Sequence, residues 1–201
     1  MSTIKSVCFD LDGVYFTPES FQRFKKALSG NNSEDVIEHV FHKSDEILNF
    51  KKGLISENEY WDYVRKSLKI SMPNEEIFQA LRDAYEVNEE IVDLVKKVKE
   101  KGLQTCICSN NFETRIRELN SKFDFLKNFD VQIFSYKVGV AKPDKEIFQS
   151  LVDACGVNPD EIVFSDDSPE KLSGANELGI KTFVFEGVPS FINKLKELEV
   201  L

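Results

Sequence analysis

The sequence has little glycine or proline, few cysteines and no long apolar run. Nine glycines and six prolines in 201 residues exclude collagen-like and low-complexity chains. No apolar stretch approaches the about 20 residues of a membrane-spanning helix, so we expect no membrane association. The first apolar run reaches Asp10 before a secretory signal could form, and this predicts a cytoplasmic location.

Positive charge is also in the minority. The 26 lysines and arginines face 35 acidic residues, which gives a net charge of −9 and repels nucleic-acid backbones and anionic lipids. Nucleic acid is therefore not expected as a partner. The four cysteines form no CxxC pair and no dense disulfide pattern, and we predict that they are buried thiols.

What the chain does contain is an alternation of strand-like and helix-like segments. The strand candidates are short and rich in Val, Ile, Phe or Cys: Ile4–Phe9, Leu103–Cys108, Val131–Phe134, Glu161–Phe164 and Lys181–Phe185. Amphipathic helical patterns separate most of them, which predicts an α/β protein with a parallel sheet and helices on both faces. Gln132 interrupts one apolar run, so we expect Val131–Phe134 to be the more exposed strand and the others to be central.

A helical module interrupts this alternation after the first strand. Between about Pro18 and Tyr85 only amphipathic helical patterns occur, and Ser56 with Glu59 forms a capping-box pattern within them. We therefore predict an inserted α-helical cap domain of residues 17–86 on a core of residues 1–16 and 87–201.

Carboxylates follow two of the predicted strands. Asp10 and Asp12 come directly after the first strand, and Asp166 with Asp167 follows Glu161–Phe164. The carboxyl ends of parallel strands form the ligand crevice of an open α/β sheet, so we expect these four side chains to meet there. Four carboxylates in one crevice need a cation, and oxygen ligands favour Mg²⁺.

The sequence resembles the haloacid dehalogenase superfamily. Four motifs match in order: Asp10-Leu11-Asp12-Gly13, Ser109-Asn110, Lys142 and Asp166-Asp167. The resemblance covers almost the whole chain. It is nearest to the branch with α-helical caps, which includes glucose-1-phosphate phosphatase-like enzymes and the phosphatase domain of soluble epoxide hydrolase, and it implies a Rossmann-like core.

The resemblance also implies a role for each matching residue. Asp10 would attack a phosphoryl group and form an aspartyl-phosphate, while Asp12 would act as general acid and then general base. The phosphate would be bound by Ser109, Asn110 and Lys142. Mg²⁺ would be held by Asp10, Asp167 and the main-chain carbonyl of Asp12, with Asp166 as a ligand or a neighbouring partner.

These expectations define a Mg²⁺-dependent phosphatase acting on a small phosphorylated metabolite, with a sugar phosphate as one substrate class. Two alternatives stay open at this stage: a phosphomutase, which shares the motifs, and a non-catalytic protein that binds a ligand or partner. For substrate specificity, Phe16 and Lys52 are candidates, with Lys51 beside Lys52 as a second cation for an anionic group. The oligomeric state is left open.

Overall fold

A computed structural model describes residues 3–201 and contains, within that range, one five-stranded sheet in the order β3-β2-β1-β4-β5. All neighbouring strands are parallel. The strands are β1 (Ser6–Phe9), β2 (Gln104–Ser109), β3 (Val131–Phe134), β4 (Ile162–Asp166) and β5 (Lys181–Val184). Each predicted strand is present, and β3 lies at an edge of the sheet, although only Gln132 of its four residues is partly exposed.

The prediction that the fifth strand is central is wrong, because β5 forms the other edge. All four of its residues are only partly buried. Its apolar composition has a local cause: Phe183 packs against Phe191 with ring centroids 5.2 Å apart. One covered face is enough to keep an edge strand apolar, so composition alone did not separate an edge from a centre.

Helices cover both faces of the sheet. They are α6 (Glu89–Glu100), α7 (Glu113–Phe123), α8 (Ser135–Val138), α9 (Lys145–Cys155), α10 (Ser173–Leu178) and α11 (Val188–Glu197), with short 3₁₀ turns at Phe125–Asn128, Pro159–Glu161 and Pro169–Leu172. Alternate strand residues enter different apolar clusters: Val7 and Phe9 face α6 and α11, whereas Cys8 faces α9. This alternation follows from the two-residue period of a strand. All four cysteines are buried and unbridged, as predicted.

The segment between β1 and α6 is helical, as the sequence pattern indicates. It contains α1 (Pro18–Leu28), α2 (Glu34–Glu38), a π-helical turn (His39–Lys43), α3 (Asp45–Lys51), α4 (Glu57–Leu68) and α5 (Asn74–Ala84). The predicted capping box of Ser56 and Glu59 starts α4. No helix of residues 3–201 is long and apolar enough to span a membrane.

We propose that residues 17–86 form the cap of a core built from residues 1–16 and 87–201, of which Met1 and Ser2 lie outside the described residues. The cap has its own aromatic interior, in which Trp61 contacts the rings of Phe24, Phe50 and Phe78. The aromatic residues of these helices therefore serve mainly to pack the cap together.

Candidate active site

The predicted carboxylates meet at the carboxyl edge of the sheet. β1 lies between β2 and β4, so Asp10 at the end of β1 stands between Ser109 at the end of β2 and Asp166 at the end of β4. Oxygen atoms of Asp10, Asp166 and Asp167 lie within 4.8 Å of one another. The strand order thus brings two distant sequence positions, Asp10 and the adjacent pair Asp166 and Asp167, into one acidic cluster.

Lys142 compensates two of these charges. Its Nζ lies 2.9 Å from Asp10 Oδ1 and 2.5 Å from Asp166 Oδ2, and its side chain is fully buried. Burial alone would lower the pKa of Lys142, but the two carboxylates outweigh burial and raise it. Burial likewise disfavours ionised Asp10, and the attraction of Lys142 and Lys171 reverses this and lowers the pKa of Asp10. Asp10 is therefore held as a carboxylate.

Asp167 is the more accessible of the two acids after β4. Both oxygens of buried Asp166 are in use: Oδ2 by Lys142, and Oδ1 by the Ser168 amide at 3.0 Å. The Asp167 side chain is 40% exposed. Burial raises the pKa of Asp167 to about 6, against the attraction of Lys171. We infer that Asp167 is the freer ligand, whereas Asp166 orients Lys142.

The acidic cluster fits a hard divalent cation. Asp10 Oδ1 is buried and contacts Lys142 Nζ at 2.9 Å. Three carboxylates whose oxygens lie within 4.8 Å of one another form the all-oxygen donor set that Mg²⁺ accepts. The Asp12 side chain is outside this cluster, so its expected contribution through the main-chain carbonyl stays a prediction.

Gly13 allows Asp167 to approach the first loop. Its φ is +76°, a conformation that side chains disfavour, and a Cβ at this position would overlap Asp167 Oδ2. The glycine that follows Asp12 is therefore required both by the turn and by the neighbouring carboxylate.

Asp12 is held by a buried arginine that the sequence analysis missed. Arg115 Nη2 donates to Asp12 Oδ2 at 2.6 Å, and its Nη1 donates to the Tyr85 hydroxyl at 2.9 Å. That hydroxyl lies 3.3 Å from Asp12 Oδ1. Arg115 Nε donates to Asn111 Oδ1 at 2.7 Å.

A sequence signal for Arg115 does exist. Position 115 lies three residues after Phe112 and four before Leu119, on the apolar face of α7. A charged residue at such a position requires a buried partner. The guanidinium lies between aromatic rings, 5.0 Å from the centroid of Phe21 and 4.9 Å from that of Phe112.

Ser109 and Asn110 lie at the site, and the Asn110 side chain is bonded to the main chain of Lys142. Its Nδ2 donates to the Lys142 carbonyl at 2.8 Å, and its Oδ1 accepts from the Lys142 amide at 2.7 Å. Both side-chain atoms are thus occupied by the main chain of Lys142, while Asn110 also lines the cleft, and its role in phosphate binding stays a prediction. Ser109 is buried and accepts from Asn111 Nδ2 at 3.5 Å.

A cleft of about 700 Å³ opens above the cluster, and Lys52 lines it together with Lys51 and Phe21 of the cap. Phe16 does not line it, which corrects the expectation for that residue. The amide of Phe16 bonds back to the Leu11 carbonyl at 2.8 Å, and the ring is buried against Tyr85 at 5.4 Å. The chain turns back after the first loop, so the ring enters the seam between cap and core.

An α/β sheet with four carboxylates and a buried lysine at its carboxyl edge defines a hydrolase-type active site. Residues 4–179 match the family model of haloacid dehalogenase-like hydrolases. The chain therefore belongs to the haloacid dehalogenase-like hydrolase family, as its four motifs indicated.

Relatives of this chain include phosphatases. It is 26% identical over 219 residues to mouse bifunctional epoxide hydrolase 2, covering 97% of this chain but only 39% of that enzyme. It is 24% identical to a phosphorylated carbohydrates phosphatase of Thermotoga maritima, over 97% of this chain and 90% of the relative. A structure of a haloacid dehalogenase family enzyme from Bacteroides thetaiotaomicron, in complex with magnesium and inorganic phosphate, is 27% identical with a TM-score of 0.77, covering 94% of this chain and 98% of that one.

Proposed function

We propose that this hydrolase is a Mg²⁺-dependent phosphatase that acts on a small phosphate monoester. The observation that carries the proposal is the buried, ionised Asp10, which pairs with Lys142 at 2.9 Å and has an oxygen within 4.8 Å of the carboxylates of Asp166 and Asp167. The magnesium and phosphate bound by the Bacteroides relative support the same chemistry. A sugar phosphate is a candidate substrate, because the Thermotoga relative is named a carbohydrate phosphatase.

In the first step a carboxylate oxygen of Asp10 forms a bond to phosphorus, and the bond from phosphorus to the ester oxygen breaks. Asp12, which pairs with Arg115 in the free protein, takes up a proton as the anionic ester enters the site and gives it to the leaving oxygen, so the alcohol departs neutral. Arg115 then stabilises the carboxylate that Asp12 becomes, through the 2.6 Å contact seen here. Lys142 offsets charge between the phosphoryl group and Asp10.

In the second step water attacks phosphorus and the bond to Asp10 breaks. The ionised Asp12 takes the proton of that water, and inorganic phosphate leaves. Mg²⁺ held by Asp10 and Asp167 would supply positive charge that reduces repulsion between the phosphate and the carboxylates. The cleft volume of about 700 Å³ suits a metabolite-sized ester.

The test is inorganic phosphate release from a panel of sugar, amino-acid and nucleotide phosphates. We expect release by the wild-type protein with Mg²⁺, none with EDTA, and loss of at least about 10³-fold in Asp10→Asn, since the amide is no nucleophile. Circular dichroism of Asp10→Asn controls for folding. Full activity of Asp10→Asn would contradict the mechanism, and phosphate transfer without release would indicate a phosphomutase.

A further inference from the structure

Basic side chains line the cleft from two sides, and they differ in how their charge is balanced. Within residues 3–201, the lysines and arginines of the cleft wall are Lys51, Lys52, Arg115, Lys142 and Lys171. The three on the core each contact a carboxylate: Arg115 that of Asp12, Lys142 those of Asp10 and Asp166, and Lys171 that of Asp166 at 3.5 Å. Their charge is therefore already compensated.

The two cap lysines have no such partner. No carboxylate oxygen of the described chain lies within 4.0 Å of the Lys51 or Lys52 ammonium. Both residues are half-buried. Burial and the positive charge of Arg115 lower the pKa of Lys51 to about 8. A cation in this position is destabilising until an anion enters the cleft.

The main chain of Lys51 is connected by hydrogen bonds to the residues around Asp12. The Ser135 hydroxyl donates to the Lys51 carbonyl at 2.5 Å and accepts from the Asn111 amide at 2.9 Å. The side chain of the same Asn111 accepts from Arg115. A continuous set of hydrogen bonds therefore connects the end of α3 to the residue that holds Asp12.

Two carboxylates attract the charge of Lys51, that of Asp12 across the cleft and that of Glu38 at the end of α2, but neither forms an ion pair with it. His42 also lines the cleft, and burial together with the charges of Lys51 and Lys25 lowers its pKa to about 4, so it is neutral at pH 7. Glu38, the nearest acidic side chain of α2, is used by Lys25 at 3.2 Å. Glu38 and Asp12 are thus each paired with another cation, and Lys51 has no ion pair in the described part of the chain.

We propose that Lys51 and Lys52 form a subsite for a second anionic group of the substrate, a carboxylate or a second phosphate. The preferred substrate is then a small phosphate monoester that carries a further anion on its alcohol part. This inference rests on the proposed phosphatase function and adds the substrate class. The hydrolysed phosphoryl group is held by the core, and the second anion is held by the cap.

Turnover of matched esters tests the subsite. 3-Phosphoglycerate and glycerol 3-phosphate share a carbon skeleton and differ in the carboxylate, whereas fructose 1,6-bisphosphate and fructose 6-phosphate differ in a second phosphate. We expect kcat/KM to favour the anionic member of at least one pair by about tenfold, as one charge-assisted hydrogen bond provides. The pair that shows the preference identifies the anion.

Three variants locate that preference. Lys51→Met should abolish it, so that the kcat/KM values of the two members of the pair become equal within about twofold, and Lys51→Arg should retain it. Lys43→Met is the matched control, because Lys43 is an exposed cap lysine outside the cleft. Equal rates for both members of each pair, or equal losses on both members in Lys51→Met, would overturn the subsite.

A binding measurement separates this inference from the phosphatase proposal. Calorimetry with 3-phosphonopropionate and propylphosphonate, which cannot be hydrolysed, compares ligands with and without a carboxylate. We expect about tenfold tighter binding of 3-phosphonopropionate by wild type and Lys43→Met, and no difference in Lys51→Met. This holds even if no ester is hydrolysed, a result that would count against the phosphatase alone. Equal binding of both phosphonates, together with equal turnover of the bisphosphate pair, would refute the subsite alone.

Discussion

The cleft is lined on one side by core residues (the core wall, with Arg115, Lys142 and Lys171) and on the other by cap residues (the cap wall, with Lys51 and Lys52). The two walls differ in how their positive charges are balanced. On the core wall every lysine and arginine contacts a carboxylate, and the groups interlock through Asn110, Asn111 and Tyr85. On the cap wall Lys51 and Lys52 have no carboxylate within ion-pair distance in the described residues. The core is therefore organised before substrate arrives, whereas the cap wall is completed by the substrate. Catalysis and selection are separated in space by this difference.

Removing Lys142 breaks the charge balance of the core wall and has the largest expected effect. Lys142→Met leaves Asp10 and Asp166 buried side by side without their cation. Loss of one member of a buried ion pair costs about 3–5 kcal/mol. We expect the free energy of unfolding in urea to fall by about 3 kcal/mol and phosphate release to be lost.

Lys96→Met is the matched control for that change. Lys96 pairs with Asp93 at 3.0 Å, but both side chains are more than half exposed. Such exposed pairs contribute about 0–1 kcal/mol. If the free energy of unfolding falls equally in both variants, the buried carboxylates of the core wall depend on their lysine no more than an exposed surface carboxylate does.

Arg115→Lys tests whether the orientation of Asp12 depends on the hydrogen-bond geometry of the arginine in addition to its positive charge. A lysine keeps the positive charge but cannot donate to Asn111, Tyr85 and Asp12 together. We expect kcat on alkyl phosphates to fall by about 10²-fold because Asp12 loses its orientation, with KM changed much less. For p-nitrophenyl phosphate the fall in kcat should be smaller, because its leaving group needs little protonation.

Arg117→Lys is the control, since this neighbouring arginine is half exposed and pairs with Glu57 and Glu118, away from Asp12. It should leave kcat unchanged on both classes of ester. A loss in Arg115→Lys that is equal for p-nitrophenyl and alkyl phosphates would show that Arg115 supports the fold and not Asp12.

Lys51→Met tests the cap wall in the absence of substrate, with an effect of the opposite sign. Folding lowers the pKa of Lys51 to about 8, so at pH 7 the folded state carries an unfavourable charge. The variant should be more stable than wild type by about 1 kcal/mol, or about 2–4 °C in melting temperature. Above pH 8 the folded wild type releases this proton and the unfolded chain keeps it, so wild-type stability rises and the gap narrows.

Thermal melts of both proteins between pH 7 and pH 10 measure this difference, with Lys43→Met as the unchanged reference. A Lys51→Met protein that melts below wild type at pH 7 would mean that Lys51 stabilises the cap. Binding residues that cost stability in the free protein are expected where a site awaits its ligand.

The sequence predicted which acidic residues lie in the core wall, but it did not predict all of the basic residues that pair with them. Asp10, Asp166 and Asp167 each follow a strand, and parallel strands bring their carboxyl ends together regardless of side-chain detail. The pairing of Asp12 with Arg115 joins positions 103 residues apart. No local pattern encodes that distance, although the charge on the apolar face of α7 indicated a buried partner.

The errors at Phe16 and β5 have a related cause. Both predictions inferred burial or orientation from neighbours in sequence, but the path of the chain decided the outcome. Phe16 turns into the seam because its amide bonds to Leu11, and β5 is an edge because the sheet ends there. Hydrophobicity predicts that a residue is buried, but only the fold determines which residues it packs against.

Lys52→Met has the smallest expected effect and sharpens the contrast within the cap wall. Lys52 follows the last residue of α3, and Lys51 is the residue whose carbonyl is tied to Ser135. We expect the half-buried Lys52, whose main chain lacks that tie, to contribute no more than a surface ion pair, about 0–1 kcal/mol. We expect KM for anion-bearing esters to rise about twofold to threefold at low salt, with kcat unchanged. Because exposed charges are screened, this difference should vanish in 0.5 M NaCl, whereas the Lys51→Met effect should persist. Equal salt sensitivity of the two variants would mean that both lysines act only at long range and that neither contacts the second anion.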